Sequence, residues 1–162
     1  MPVDATAVAK LKQACDQAAD LHPNSCSHAV WHVIKQYLPD QPYMSANALM
    51  DHVQGQRHWR SVPASQVGDL ARGGAVIVGG KKESGNGHVI VVYPGPDKAA
   101  GGYAYTRGGK TETLRTRGSY PPAMSTSLGP WEGARSKGDK TIWDPWASDA
   151  KFASVTFWQL VQ

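Results

Sequence analysis

Apolar residues recur at helical spacing through the first half of this chain, then run together or alternate in the second half. Val8, Leu11, Cys15 and Ala18 share one face of a segment that Asp4 or Thr6 can cap and that runs to about Ala19. Val30, Val33, Ile34 and Tyr37 form a second stripe, opened by the capping residues Asn24 and Ser25 and closed at Pro39. Two shorter helices are predicted over 45–53, capped by Ser45 and ended near Gly55, and over 63–70.

From Gly73 the texture changes. Residues 75–78 read as a strand between glycine pairs, and 88–93, an apolar β-branched run, as a buried strand pairing back across the polar connection at 81–87. Residues 102–106 alternate as a third strand does, and 141–143 and 155–161 close the chain as strands. Residues 107–140, rich in Gly, Pro and Ser and without a usable period, are expected to form a long functional or mobile loop. Helices first and strands after predict an α+β fold, with N-terminal helices packed on an antiparallel sheet. No internal repeat is visible, and 162 residues suit one domain spanning 1–162.

Composition adds bounds. A formal charge of +4 suits an anionic partner such as cell wall, nucleic acid or membrane, without choosing among them. Two cysteines do not make a disulfide scaffold. No stretch approaches the length of a membrane span, and residues 1–6 carry neither a basic leader nor an apolar core, so a soluble protein without a classical export signal is expected.

The chemistry centres on Cys26. Placed in the first turn of its helix, the thiol meets unpaired N–H groups and the positive end of the helix dipole, which favour the reactive thiolate. Sixty-two positions later, Gly85-Asn86-Gly87-His88 leads into the apolar strand. A histidine at the mouth of a strand, freed by two glycines, can be aimed at a helix terminus. A nucleophile on a helix and a base on a later strand make a papain-like Cys–His pair. That reading requires Cys26 to be unpaired with Cys15, which belongs to the buried stripe of the first helix.

In this order and spacing, the sequence resembles the NlpC-type papain-like peptidoglycan amidases, and more closely the amidase effectors of type VI secretion. Asn24-Ser25-Cys26-Ser27 resembles their nucleophile motif, the segment from Ser45 to Asp51 the short helix that follows it, and Gly87-His88-Val89-Ile90-Val91-Val92 their histidine strand. The segment from Trp143 to Trp158 resembles their closing segment. The likeness covers residues 20–100 well and the remainder loosely. Where the relatives have a small residue and an aromatic after Cys-Ser, this chain has His28-Ala29.

The resemblance implies a cysteine amidase without cofactor that cuts the peptide stem of peptidoglycan between D-glutamate and the diamino acid. Cys26 would be the nucleophile, His88 the base, and Thr106, or a backbone carbonyl, the group orienting the imidazole. Asn24, Ser27 and Asn47 are the expected substrate contacts. Lys81, Lys82, Arg107, Lys110, Arg115 and Arg117 could meet stem carboxylates, or simply form a solvated basic surface. A monomeric toxin made in the cytoplasm, injected into the periplasm of rival bacteria and held in check by an immunity protein is also implied. Such a toxin needs no export leader.

Three rivals stand beside this reading. His22, Cys26, His28 and His32 are close in sequence, with His28 and His32 at the i, i+4 spacing of a zinc site. Ala29, however, stands where the zinc-protease signature has glutamate, and no Cys-x-x-Cys accompanies them, so no metal is expected. The basic run over 107–117 beside Tyr103 and Tyr105 would suit a binding module for nucleic acid or wall, but no nucleic-acid motif is present. A transferase or a protease acting on another substrate would share the chemistry up to the thioester. Trp31, Trp143, Trp146 and Trp158 are expected as core or cleft wall rather than as sugar platforms.

Overall fold

The computed structural model describes residues 4–55 and 57–161, excluding the side chain of Arg107, one of the basic candidates. Three helices come first: α1 (Ala5–Leu21), α2 (Cys26–Lys35) and α3 (Ala46–Val53). Each begins on a side-chain cap. Asp4 accepts from the Thr6 and Ala7 amides at 3.0 and 3.2 Å, Ser25 from His28 N at 3.3 Å, and Ser45 from Ala48 N at 3.3 Å.

The strands follow, as an α+β fold requires. Six of them form one antiparallel sheet in the order β1 (Trp59–Val62), β10 (Thr156–Leu160), β2 (Ile77–Lys81), β3 (His88–Val92), β8 (Pro122–Ser125), β9 (Ser136–Thr141). A 3-10 turn (Ala64–Gln66) and α4 (Val67–Arg72) connect β1 to β2. Two small ribbons lie outside this sheet, β4 (Lys98–Ala99) with β7 (Ser119–Tyr120) and β5 (Ala104–Arg107) with β6 (Lys110–Thr113). A 3-10 turn (Glu132–Ala134) precedes β9, and α5 (Asp149–Phe152) precedes β10.

Both faces of the sheet are covered. Val78, Val89, Val91 and Trp158 pack against α1, α2 and α3, while Ile77, Ile90, Val92 and Phe157 pack on the other face with Val67, Ala71 and Trp146. This alternation is the two-residue period of a pleated strand. At Gly80 of β2 a Cβ would stand 2.5 Å from Met50 Sδ, so α3 rests on bare backbone and is drawn close to the sheet. Among the described residues no helix is long and apolar enough to cross a membrane.

Several expectations need correction. Residues 107–140 are not a long loop: they hold β6, β7, β8, a 3-10 turn and most of β9. Hydrophobic patterning missed them because β6 is exposed throughout, β8 is only four residues long, and the buried ends of β9 are the polar residues Ser136 and Thr141. The strand expected at 102–106 pairs in a separate hairpin, and of 141–143 only Thr141 is extended. Edge strand β1 and the short α5 lacked any signal strong enough to be anticipated.

Candidate active site

Cys26 is the first residue of α2, behind the Ser25 cap. The nearby backbone amides of Val89, Ser27 and Cys26 itself lower the pKa of its thiol, but burial outweighs them and raises it above the ordinary thiol value of 9.0. The first-turn position was expected to favour the thiolate; dehydration of the sulfur prevails instead. Cys15 lies wholly buried in α1, and both cysteines are free thiols, as the nucleophile reading requires.

Cys26 and His88 line one cleft of about 650 Å3, so α2 and β3 bring thiol and imidazole together there. His88 opens β3. Its Nε2 is 2.9 Å from Ser125 Oγ, whose own hydroxyl donates to the Ala134 carbonyl at 2.7 Å. A hydroxyl has one proton. With that proton committed to Ala134, Ser125 accepts from His88, so Nε2 carries the imidazole proton and Nδ1 is the basic nitrogen. Trp146 meets the ring edge-on, centroids 5.4 Å apart, and burial lowers the His88 pKa from 6.5 to about 4.

Thr106 does not orient the imidazole. It is exposed on β5, where its hydroxyl lies 3.5 Å from that of Thr111 across the hairpin. The orienting group is Ser125 at the end of β8, the strand next to β3 in the sheet. Its only sequence signal was an apolar stub, Pro122-Ala123-Met124, too short to read as a strand.

Of the expected substrate contacts, Asn24 lines the cleft beside Cys26. Ser27 is nearly buried and is hydrogen-bonded at 2.7 Å to the Tyr43 hydroxyl. Tyr43 stacks on His28 at 4.1 Å, and His28 Nδ1 lies 2.7 Å from Ser25 Oγ. Ser27 therefore anchors an aromatic wall on the cysteine side of the cleft. Asn47 works on the backbone: Nδ2 donates to the carbonyls of Glu83 and Gly85 at 2.8 and 2.9 Å, and Oδ1 accepts from Glu83 N at 3.2 Å. It clamps the loop that delivers His88, and a Cβ at Gly87 would collide with its Oδ1.

The basic candidates divide. Lys81 pairs with Glu83 at 2.6 Å and Lys82 with Asp51 at 2.8 Å, while Lys110, Arg115 and Arg117 are exposed on or after β6. His22 lies near both His28 and His32, with ring centroids 5.6 and 6.2 Å apart. Yet among the described residues no group of three or more His, Cys, Asp or Glu is arranged to hold a metal.

Sequence reasoning missed the far wall. Trp131 lines the cleft and donates from Nε1 to the Asp144 carbonyl at 2.8 Å. The buried Asp144 carboxylate gathers Gly101 N, the Tyr103 hydroxyl, and both the amide and hydroxyl of Thr141, all within 3.0 Å. One side chain thus ties the loop leading to β5 to the Trp143–Trp146 turn.

Such an arrangement can add sulfur to a carbonyl and pass its proton to and from an imidazole held in a fixed tautomer. No protein-family model and no curated protein matches this sequence.

Proposed function

We propose that this chain is a papain-like cysteine amidase of the NlpC type that hydrolyses an amide bond in the peptide stem of peptidoglycan. The observation that carries the reading is the Cys26–His88–Ser125 constellation: a helix-start thiol, a strand-borne imidazole in the same cleft, and a hydroxyl fixing the imidazole tautomer.

In this mechanism His88 Nδ1 takes the proton of the Cys26 thiol as the sulfur attacks the carbonyl carbon. Burial holds both groups neutral at rest, so proton transfer accompanies attack. The developing oxyanion is met by the backbone N–H of Cys26 at the start of α2. Collapse gives a thioester, and the imidazolium returns its proton to the departing amine. Water, deprotonated by His88, then releases the acid and restores the thiol.

The bond between D-glutamate and the diamino acid, delivery by type VI secretion into the periplasm of rival bacteria, and restraint by an immunity protein all belong to the same proposal. They rest on the resemblance of the motifs around Cys26, Asn47 and His88. The test is mass spectrometry of peptidoglycan fragments incubated with the parent protein and with Cys26→Ala. New stem-peptide products from the parent alone are expected, and their masses name the bond. Intact fragments in both samples, with the parent folded and reduced, overturn the reading.

A further inference from the structure

A second cavity, of about 380 Å3, shares Trp131, Pro145, Trp146 and Lys151 with the cleft that holds Cys26 and His88. Because Trp146 packs on the His88 ring, this cavity lies on the imidazole side. Asn24 and Tyr43 line the cleft on the cysteine side. When a thiol–imidazole pair cuts an amide, the imidazolium protonates the departing amine. The leaving half of the substrate therefore sits on the imidazole side, against Trp146 and towards the second cavity.

The chemistry of its walls is specific. Tyr105 and Trp131 meet edge-on at 5.0 Å and, with Leu114, give an apolar surface. Lys151 is the one charged residue among the eight that line it. Lys81, Lys82, Lys137 and Lys140 each have a carboxylate within 3.3 Å, but among the described residues no ion pair involves Lys151. Ala147, between the shared Trp146 and the α5 cap Ser148, has φ 50°, a left-handed conformation that is costly for a residue with a side chain. The turn that presents α5, and with it Lys151, to the cavity is held in that conformation.

We propose that this second cavity is the leaving-group subsite and that Lys151 selects a leaving segment carrying a free carboxylate on an apolar stem. The inference rests on the amidase reading. A stem cut after D-glutamate releases a diamino acid with a methylene chain, followed by D-alanine with its carboxylate. Tyr105, Leu114 and Trp131 cover the methylenes, and the Lys151 ammonium meets the carboxylate.

The test uses two synthetic stem tetrapeptides that differ only in a free carboxylate or a carboxamide at the C-terminal D-alanine. The parent is expected to favour the free acid by about two- to fivefold in kcat/KM, the scale of one exposed charge pair. Lys151→Met keeps the aliphatic stem and should bring the ratio close to one through KM, with kcat unchanged. In parallel, the dipeptide diaminopimelyl-D-alanine is titrated into folded Cys26→Ala protein, with and without Lys151→Met, and followed by NMR. Cleavage with no preference, or with a preference that Lys151→Met leaves in place, overturns the subsite while the amidase stands. If the parent cleaves neither peptide, the amidase reading falls and takes the leaving-group role with it; the titration then decides the rest, Lys151-dependent binding at Trp131 upholding the second cavity as a carboxylate-binding site and absence of binding overturning that too.

Discussion

Ser125 Oγ lies 2.9 Å from His88 Nε2 and spends its only proton on the Ala134 carbonyl. The serine is thereby compelled to accept, and the imidazole to present Nδ1 to the thiol. Ser125→Ala removes the acceptor while leaving the sheet intact. We expect kcat to fall by about 10- to 100-fold, the range seen when a positioning partner of a functional histidine is lost. Thr106→Ala, in the exposed hairpin, should leave kcat unchanged. Equal effects of the two substitutions in a stem-peptide assay would return the orienting role to the hairpin.

The His88 pKa of about 4 has a consequence for stability. Unfolding restores a value of 6.5, so between these values the unfolded chain binds a proton that the folded chain excludes. The contribution is present in full above about pH 7, declines as pH falls from 6.5 towards 4, and is lost below that. Two and a half units correspond to about 3 kcal/mol. Denaturant titrations of the parent and of His88→Gln should converge or cross by that amount on acidification, a difference that cancels the depressed pKa values of His22 and His32. The acid limb of kcat/KM should likewise lie near 4. A limb near 6.5 would mean that the imidazole is hydrated in solution.

Burial raises the pKa of both thiols, but only Cys26 lines a cavity. Iodoacetamide should therefore modify Cys26 slowly at pH 7, with a rate that climbs above pH 9, and leave Cys15 untouched until the chain unfolds. Peptide mapping by mass spectrometry reads both sites at once. Rapid alkylation of Cys26 at pH 6 would show a preformed thiolate–imidazolium pair instead.

Asn47 holds the loop ahead of His88 by three hydrogen bonds. Asn47→Ala should cost about 1–3 kcal/mol in stability and lower kcat, because the histidine strand loses its fixed entry. Faster amide exchange over 83–87 is the accompanying signature. If exchange there is unchanged while KM rises, Asn47 is instead a direct substrate contact.

How far the sequence could be read depended on where apolar residues marked the buried positions. The helix caps, the Cys26 stripe and the β3 run all follow hydrophobic period, and the structure has them within a few residues. Ser125, by contrast, sits at the end of a four-residue strand, and β9 buries Ser136 and Thr141. Serine and threonine at buried sheet positions leave no hydrophobic trace, so the first strand legible after β3 is the alternation around Thr106, onto which the family resemblance places the orienting group. Trp131 and Asp144 become connected only through tertiary hydrogen bonds, which no local pattern encodes.

The strand order bears on the sequence of assembly. β10, the last described element, lies between β1 and β2, pairing Trp158 with both Ser61 and Val78. Until it arrives, β1 has no neighbour in the sheet and the β2 flank of the histidine hairpin is an open edge. Contacts that join positions about a hundred residues apart form slowly, and unpaired edges invite other chains. A nascent chain halted before Thr156 would hold Cys26, His88 and Ser125 yet leave a sticky seam through the middle of its sheet, so on the proposed amidase reading activity waits on β10.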